Sequence, residues 1–170
     1  MDASAHERTL VLRAQSGDRA AFDELLGGVD GALLRYLHAL VGTRCAPEDL
    51  LQDVLIAIVR KIRWLRDPAL FRPWAFRIAS RAAFRALRRE RVHEPLGEEQ
   101  SVEPSAPDPW LLERLASVLP RLTEASRAVI YLHYVEEMSL ADVAAALEIN
   151  PGTVKSRLAY GLARLRRELG

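Results

Sequence analysis

The sequence predicts an all-α fold made of two small helical domains joined by a flexible linker rich in proline and acidic residues. Three observations predict this class. Apolar residues recur every three or four positions along most of the chain, the period of a helix that faces a core. No segment alternates apolar and polar residues as a strand does. Prolines and acids concentrate in one segment, which sets the boundaries at 1–91, 92–109 and 110–170.

The first domain is predicted to hold successive helices separated by glycine, proline and small polar residues. In the third of them an inward stripe comprises Leu33, Leu34, Leu37 and Leu40. Pro47 starts the fourth helix, and Pro73 lies just ahead of the last one. The predicted helices cover residues 5–16, 19–26, 29–41, 48–65 and 74–91.

The linker prediction depends on the composition of residues 92–109. They hold four prolines, five acidic residues and no lysine or arginine, and no hydrophobic period continues through them. When fully extended, a segment of this length reaches roughly 60 Å. The two domains would then be able to act at well-separated points.

The second domain carries two short helices joined by a tight turn. Ser139 is a suitable N-cap, and Asp142 follows three residues later, as in a capping box. Residues 148–150 form the turn, in which Asn150 can cap the next helix and Pro151 suits its first position. One face of that helix carries apolar or small residues at helical spacing: Val154, Leu158, Gly161 and Leu165. Together the two helices and the turn predict a helix-turn-helix.

Charge changes sign where the second of these helices begins. Residues 121–150 hold two basic and five acidic residues, whereas residues 151–170 hold five basic residues and one acid. A recognition helix presents its first turns to base edges and phosphates in the major groove of DNA. An ordinary basic surface helix is the alternative, and for Tyr160 the choice is between DNA contact and packing inside. The candidate DNA-binding residues are Thr153, Lys155, Ser156, Arg157, Tyr160 and Arg164.

The last helix of the first domain carries a second basic surface. Arginines at positions 77, 81, 85 and 88 recur at helical spacing and form what we name the arginine ridge: Arg77, Arg81, Arg85 and Arg88. Trp74, Phe76 and Phe84 flank it and are predicted to stack on unpaired bases, with core packing of Trp74, Ile78 and Phe84 as the alternative.

The fourth predicted helix carries an acidic and polar surface opposite its leucine-rich face. We name this surface the acidic strip; it comprises Glu48, Asp49, Gln52 and Asp53. It suits a basic partner surface. The alternative is that the acids at the helix start only favour the helix dipole.

Composition excludes several other classes. The four histidines are scattered, none is paired with Cys45 at metal-ligand spacing, and no phosphate loop, nucleophile elbow or zincin motif occurs. We therefore expect no catalytic residues, metal or cofactor. No apolar run is long enough to insert in a membrane. The first eight residues lack a secretory pattern and the chain has one cysteine, so we expect a cytoplasmic protein.

Taken in order, these segments resemble an extracytoplasmic-function (ECF) type RNA polymerase sigma factor. Residues 46–55 are similar to the polymerase-binding helix of the family, and residues 71–79 to the segment that opens the promoter. Residues 152–158, Gly-Thr-Val-Lys-Ser-Arg-Leu, are similar to its recognition-helix signature. The similarity extends over most of the chain, from about residue 17 to residue 169.

The resemblance implies a transcription initiation factor with core RNA polymerase and promoter DNA as partners. It implies that Asp49, Gln52 and Asp53 contact polymerase and that residues 65–73 capture a flipped base. It also implies an anti-sigma factor as a further partner, with exposed apolar surface on both domains as its target. The chain departs from the family at Arg81, where asparagine is common, and at Tyr160, near which a basic residue is usual.

A DNA-binding regulator with the same helix-turn-helix and no contact with polymerase is the alternative function. It gives no reason for the acidic strip or for the arginine ridge with its aromatic neighbours. Binding to core polymerase discriminates between the two.

Overall fold

The fold is all-α, as the sequence predicts. A computed structural model describes residues 3–90 and 119–169 of the chain, and every regular element within these two ranges is helical. The predicted linker at 92–109 lies outside the described residues. We call the described helices before it the N-terminal bundle and those after it the C-terminal bundle.

The N-terminal bundle contains five α-helices separated by short caps and turns. Asp18 caps the second of them by accepting a hydrogen bond from the backbone N–H of Ala21 at 3.1 Å. Gly42 ends the third in a positive-φ conformation (57°) that side chains rarely adopt. The helices are α1 (Ala3–Gln15), α2 (Arg19–Gly27), α3 (Asp30–Val41), α4 (Pro47–Lys61) and α5 (Phe71–Glu90).

The end of the fourth helix and the start of the fifth differ most from prediction. Helix α4 ends at Lys61, and two 3₁₀ turns follow at Ile62–Trp64 and Pro68–Leu70. Helix α5 begins at Phe71, so Pro73 lies in its first turn instead of ahead of it. A first-turn N–H has no partner within the helix, so proline is tolerated there.

The C-terminal bundle confirms the helix-turn-helix. It contains α6 (Glu124–Ile130), α7 (Leu140–Leu147) and α8 (Pro151–Leu169), with a π-helical turn at Tyr131–Val135. Ser139 caps α7 by accepting the N–H of Asp142 at 3.1 Å. The side-chain oxygen of Asn150 accepts the N–H of Gly152 at 2.8 Å, which caps α8.

The inward stripe of α8 is confirmed as well, because all four of its residues are buried: Val154, Leu158, Gly161 and Leu165. Gly161 permits close packing on α6, since a Cβ placed there would lie 2.5 Å from Cδ1 of Ile130.

The two bundles pack on each other, which the sequence did not predict. Helix α5 lies against α7 and α3 lies against α6. The rings of Tyr36 and Tyr131 meet across this boundary with centroids 5.4 Å apart, and buried residues of both bundles form one contiguous core. We refer to this boundary as the bundle interface.

Candidate polymerase and DNA interfaces

The acidic strip lies on the exposed side of α4. All four of its residues are exposed, while Val54 and Ile58 on the opposite side are buried in the core. Pro47 occupies the first helical position, which fixes where the strip begins. The carboxylate of Glu48 lies 3.2 Å from the imidazole of His38 within the same bundle. The fold thus presents the strip as one acidic surface.

The arginine ridge is exposed along most of α5. Arg77 is partly buried, and Arg81, Arg85 and Arg88 are exposed. Basic side chains at this spacing follow one side of the helix and suit the phosphates of a nucleic-acid backbone.

One aromatic neighbour of the ridge corrects the sequence analysis. Phe76 is completely buried and packs edge-on against Tyr36, with centroids 5.3 Å apart, so it cannot stack on a base. The helical period places Phe76 beside the ridge, but the core occupies that side of α5. Trp74 and Phe84 are partly buried, and Trp74 lies near Phe71 with centroids 6.2 Å apart.

The segment before α5 holds an aromatic residue that the sequence analysis missed. Trp64 is 62% exposed, and the guanidinium of Arg63 lies 4.2 Å from its ring centroid. The predicted base-capturing segment, residues 65–73, follows it directly. The sequence signal for its exposure was the position of Trp64 between Arg63 and Arg66 at a helix end, because an arginine stacked on an aromatic ring keeps its charge near the surface.

The recognition helix presents its candidate residues unevenly. Lys155 is exposed, whereas Thr153, Ser156, Arg157 and Tyr160 are partly buried. The Ser156 hydroxyl donates to the backbone carbonyl of Thr153 at 3.1 Å. Arg164 lies farther along the helix, where its guanidinium is 3.8 Å from Glu168.

Arg81 of the ridge is bound by the helix-turn-helix. Its Nε donates to one carboxylate oxygen of Glu148 at 2.6 Å, and Nη2 donates to the other. This bidentate pair raises the pKa of Arg81 and lowers the pKa of Glu148. Glu148 is the residue that ends α7, and it does so in the left-handed conformation with φ 55° and ψ 42°.

Two further ion pairs cross the bundle interface in the same direction. Nη2 of Arg44 lies 2.8 Å from Glu124, and Nη1 of Arg72 lies 3.6 Å from Glu136. In all three pairs the arginine belongs to the N-terminal bundle and the glutamate to the C-terminal bundle. Burial raises the pKa of Glu136, and nearby Arg72 and Arg35 oppose that effect.

Arg127 connects the bundles through backbone carbonyls. Its Nη1 donates to the carbonyls of Ala39 and Leu40 at the end of α3, both at 3.1 Å. Its other nitrogens donate to three carbonyls of its own bundle: Leu119, Pro120 and Leu122. Burial lowers the pKa of Arg127. A single buried guanidinium therefore satisfies acceptors on both sides of the interface.

In the part of the chain that the structure describes, no helix combines the length and the apolar character that a membrane span requires.

Sequence comparison assigns both bundles to one family. The family described as Sigma-70 region 2 matches residues 29–92, and the family described as Sigma-70, region 4 matches residues 112–165. The chain is 34% identical to the ECF RNA polymerase sigma factor SigM of Mycobacterium tuberculosis, over 97% of this chain and 87% of that protein. It is 29% identical to the RNA polymerase sigma factor CarQ of Myxococcus xanthus, over 93% and 94% of the two chains.

A solved structure has a similar fold over nearly the whole chain. The structure of CnrH in complex with the cytosolic domain of CnrY superposes with a TM-score of 0.72 at 27% identity, covering 96% of this chain and 97% of that one. The similarity therefore includes both bundles. The chain belongs to the ECF family of RNA polymerase sigma factors, transcription initiation factors that bind core RNA polymerase and direct it to promoters.

Proposed function

We propose that three helices divide the work of initiation in this sigma factor. The acidic strip on α4 binds core polymerase, the arginine ridge on α5 with Trp74 opens the downstream promoter element, and α8 reads the upstream element. Residues 1–91 and 110–170 act as the two functional domains, with 92–109 as their linker. The protein acts in the cytoplasm, where polymerase and chromosome meet, and is not an enzyme.

The observation that carries this proposal is the partition of charge among the three helices. The exposed surface of the first half of α4 is acidic, α5 carries four arginines at helical spacing, and α8 has five basic residues against one acid from position 151 onward. An acidic surface cannot bind phosphate and suits a basic protein surface, whereas the other two suit DNA.

Within α8, the first turns carry the reading of bases. Thr153, Lys155, Ser156 and Arg157 lie in the two turns after the cap, the part of a recognition helix that enters the major groove. Tyr160 and Arg164 follow and contact the flanking backbone.

An anti-sigma factor is the further partner that we propose. CnrH, the structural neighbour, was solved in complex with the cytosolic domain of CnrY. Exposed apolar side chains on the N-terminal bundle, among them Ile56, Val59 and Leu70, and Val135 on the C-terminal bundle, are available to such a partner.

Run-off transcription tests the proposed function. Purified core RNA polymerase is supplied with fragmented genomic DNA, with and without this protein. We expect discrete new transcripts whose start sites share paired upstream and downstream elements. Binding to core polymerase is measured separately by a pull-down.

The outcomes separate the candidate functions. Absence of core binding would contradict the assignment to α4 and would favour a DNA-binding regulator that does not engage polymerase. Core binding without transcripts would contradict the melting role of α5, in which Arg81 replaces the usual asparagine.

A further inference from the structure

We propose that a cleft lined by arginines, where the turn after α3 meets the start of α6 and the middle of α8, binds a small phosphorylated ligand. We name it the arginine cleft. It has a volume of about 520 Å³, which falls within the range of about 300–1,000 Å³ that small-molecule sites occupy. None of its described lining residues belongs to the acidic strip or the arginine ridge, so the inference does not depend on the roles proposed for those surfaces.

The first observation is an excess of positive charge at the cleft. Its charged lining residues among those described are four arginines and one glutamate: Arg44, Arg121, Arg127, Arg164 and Glu124. A second carboxylate, that of Glu168, lies 3.0 Å from Arg121 and 3.8 Å from Arg164. Four guanidiniums against two carboxylates leave two positive charges uncompensated, and a phosphate or diphosphate would balance them.

The second observation concerns Arg127, the buried arginine of the cleft. Its guanidinium nitrogens all donate to backbone carbonyls, so it supplies charge to the cleft and no further hydrogen bond. Burial lowers the pKa of Arg127 because the charged form is poorly solvated there. An anion in the adjacent cleft would favour the charged form and would gain affinity from it.

The third observation is a donor of Arg164 that lacks an acceptor. Among the described residues, Nε of this arginine is buried without a hydrogen-bond partner. Its guanidinium also lies 3.8 Å from Glu168, which is beyond hydrogen-bonding distance. Because a buried donor without an acceptor costs free energy, a ligand oxygen toward which this side chain turns would be stabilising.

The chemistry and shape of the cleft favour phosphate. The guanidinium of arginine forms a planar fork of donors that matches phosphate oxygens in pairs. Arg44, Arg121 and Arg164 come from three separate segments and converge on one concave space. A concave site suits a compact ligand with several anionic oxygens, whereas the backbone of a duplex suits a ridge along one helix.

Isothermal titration calorimetry on the full chain tests the proposal with three probes: inorganic phosphate, inorganic pyrophosphate and adenosine 5′-diphosphate. At an ionic strength of about 0.15 M, we expect saturable binding of one pyrophosphate with a Kd below about 1 mM. Tighter binding of adenosine diphosphate than of pyrophosphate would identify an organic phosphate as the ligand, and the reverse order an inorganic one. No saturable binding of any probe would overturn the proposal.

Matched double variants locate the site. Arg121→Gln with Arg164→Gln removes two guanidiniums of the cleft and leaves Arg127, which the fold requires. Arg8→Gln with Arg19→Gln is the control, because both arginines are exposed and neither lines the cleft. We expect the Kd of the tightest probe to rise by about tenfold for each cleft guanidinium removed and to remain as in the parent for the control. Equal losses in the two variants would mean unspecific attraction and would overturn the proposal.

Nuclear magnetic resonance of the arginine Nε–H groups reports contact with the ligand directly. The signal of Arg164 is identified by its loss in Arg164→Gln. We expect this signal to shift as pyrophosphate is added, while those of Arg8 and Arg19 stay in place. A signal of Arg164 that does not move at saturating pyrophosphate would contradict a site in the cleft.

A DNA arm separates the cleft from the recognition helix, since Arg164 is also proposed above to contact the DNA backbone. A duplex of mixed sequence is titrated into the parent and both double variants by fluorescence anisotropy. Duplex affinity that falls in the cleft variant while the parent binds no small phosphate would assign the cluster to DNA and overturn the proposal. Run-off transcription without any small phosphate beyond the nucleotide substrates tests the proposed function independently.

Discussion

The acidic strip and the arginine ridge lie on neighbouring helices of one bundle, yet they differ in how far the rest of the fold covers them. The strip on α4 is exposed at all four of its positions, whereas the ridge on α5 is contacted by α7 and has Arg81 bound to Glu148. The surface that we propose for polymerase is thus exposed, whereas part of the surface that we propose for DNA is occupied. The difference shows that packing of a neighbouring helix, and not charge alone, decides how much of a charged surface is exposed.

The largest expected effect comes from replacing Arg127, whose side chain connects the two bundles and so keeps α7 packed on α5. Arg127→Met removes the side-chain donor from five backbone carbonyls on both sides of the interface, of which Leu119 still accepts the N–H of Leu122. Because a buried acceptor without a partner costs about 1–3 kcal/mol, we expect a loss of about 3 kcal/mol or more in the free energy of unfolding. Chemical denaturation measures it.

The control for Arg127 is an arginine of the same bundle with a surface pair. Arg121 lies 3.0 Å from Glu168 and is exposed. Arg121→Met should cost less than about 1 kcal/mol. Equal losses in the two variants would contradict the role of Arg127 as the connection between bundles.

The second-largest effect is expected at the acidic strip on α4. Asp49→Lys with Asp53→Lys reverses the acidic strip without touching the core, because both side chains are exposed. Like charges against a basic partner surface cost several kcal/mol, so we expect core polymerase affinity to fall by about fiftyfold with an unchanged melting temperature. Asp23→Lys, at an exposed acid on α2, is the control and should bind as the parent does.

The helix-turn-helix was predictable because its signals are local. Ser139, Asn150 and Pro151 each satisfy or omit a backbone donor within three residues of their own position, and all three occupy the predicted capping positions in the structure. The inward stripe of α8 was equally readable from its helical period. Such features require no knowledge of distant parts of the chain.

The bundle interface was not predictable in the same way. Arg81 and Glu148 are 67 positions apart, and the residues around Arg81 do not indicate that Glu148 is its partner. The burial of Phe76 has the same origin, since the helical period gives its neighbours on α5 but not the ring of Tyr36 beneath it. The acidic excess in residues 121–150 was the one sequence signal for this interface, because an acidic surface favours contact with a basic one.

A third prediction probes the proposed DNA surface on the first turns of α8. Lys155→Ala with Arg157→Ala removes two cationic side chains from the first turns of α8. Each phosphate contact contributes about one unit to the salt slope of binding, so the logarithmic salt dependence of promoter affinity should flatten by about 1–2 units. Anisotropy at several salt concentrations measures it, and an unchanged slope would remove these residues from the interface.

The smallest effect distinguishes two glutamates of the same interface by pH. The pKa of Glu148 is lowered by its hydrogen bonds with Arg81, whereas burial raises the pKa of Glu136 above the ordinary value of 4.5. Glu136 is only 6% exposed. A raised carboxyl pKa means that the folded state binds the proton more readily than the unfolded state. Stability from this group therefore falls as pH rises from 4.5 through the raised pKa.

Glu136→Gln removes this pH dependence while keeping the shape of the side chain. Between pH 4.5 and neutrality we expect the Tm of the parent to fall relative to that of the variant by about 1–2 °C. Glu137→Gln, at an exposed neighbour, should follow the parent across the whole range. Parallel curves of Tm against pH for the parent and Glu136→Gln would contradict this prediction and would mean that Arg72 and Arg35 compensate the buried charge of Glu136 completely. The pH sensitivity of the interface would then come from ion pairs such as Arg81–Glu148, which acidification breaks.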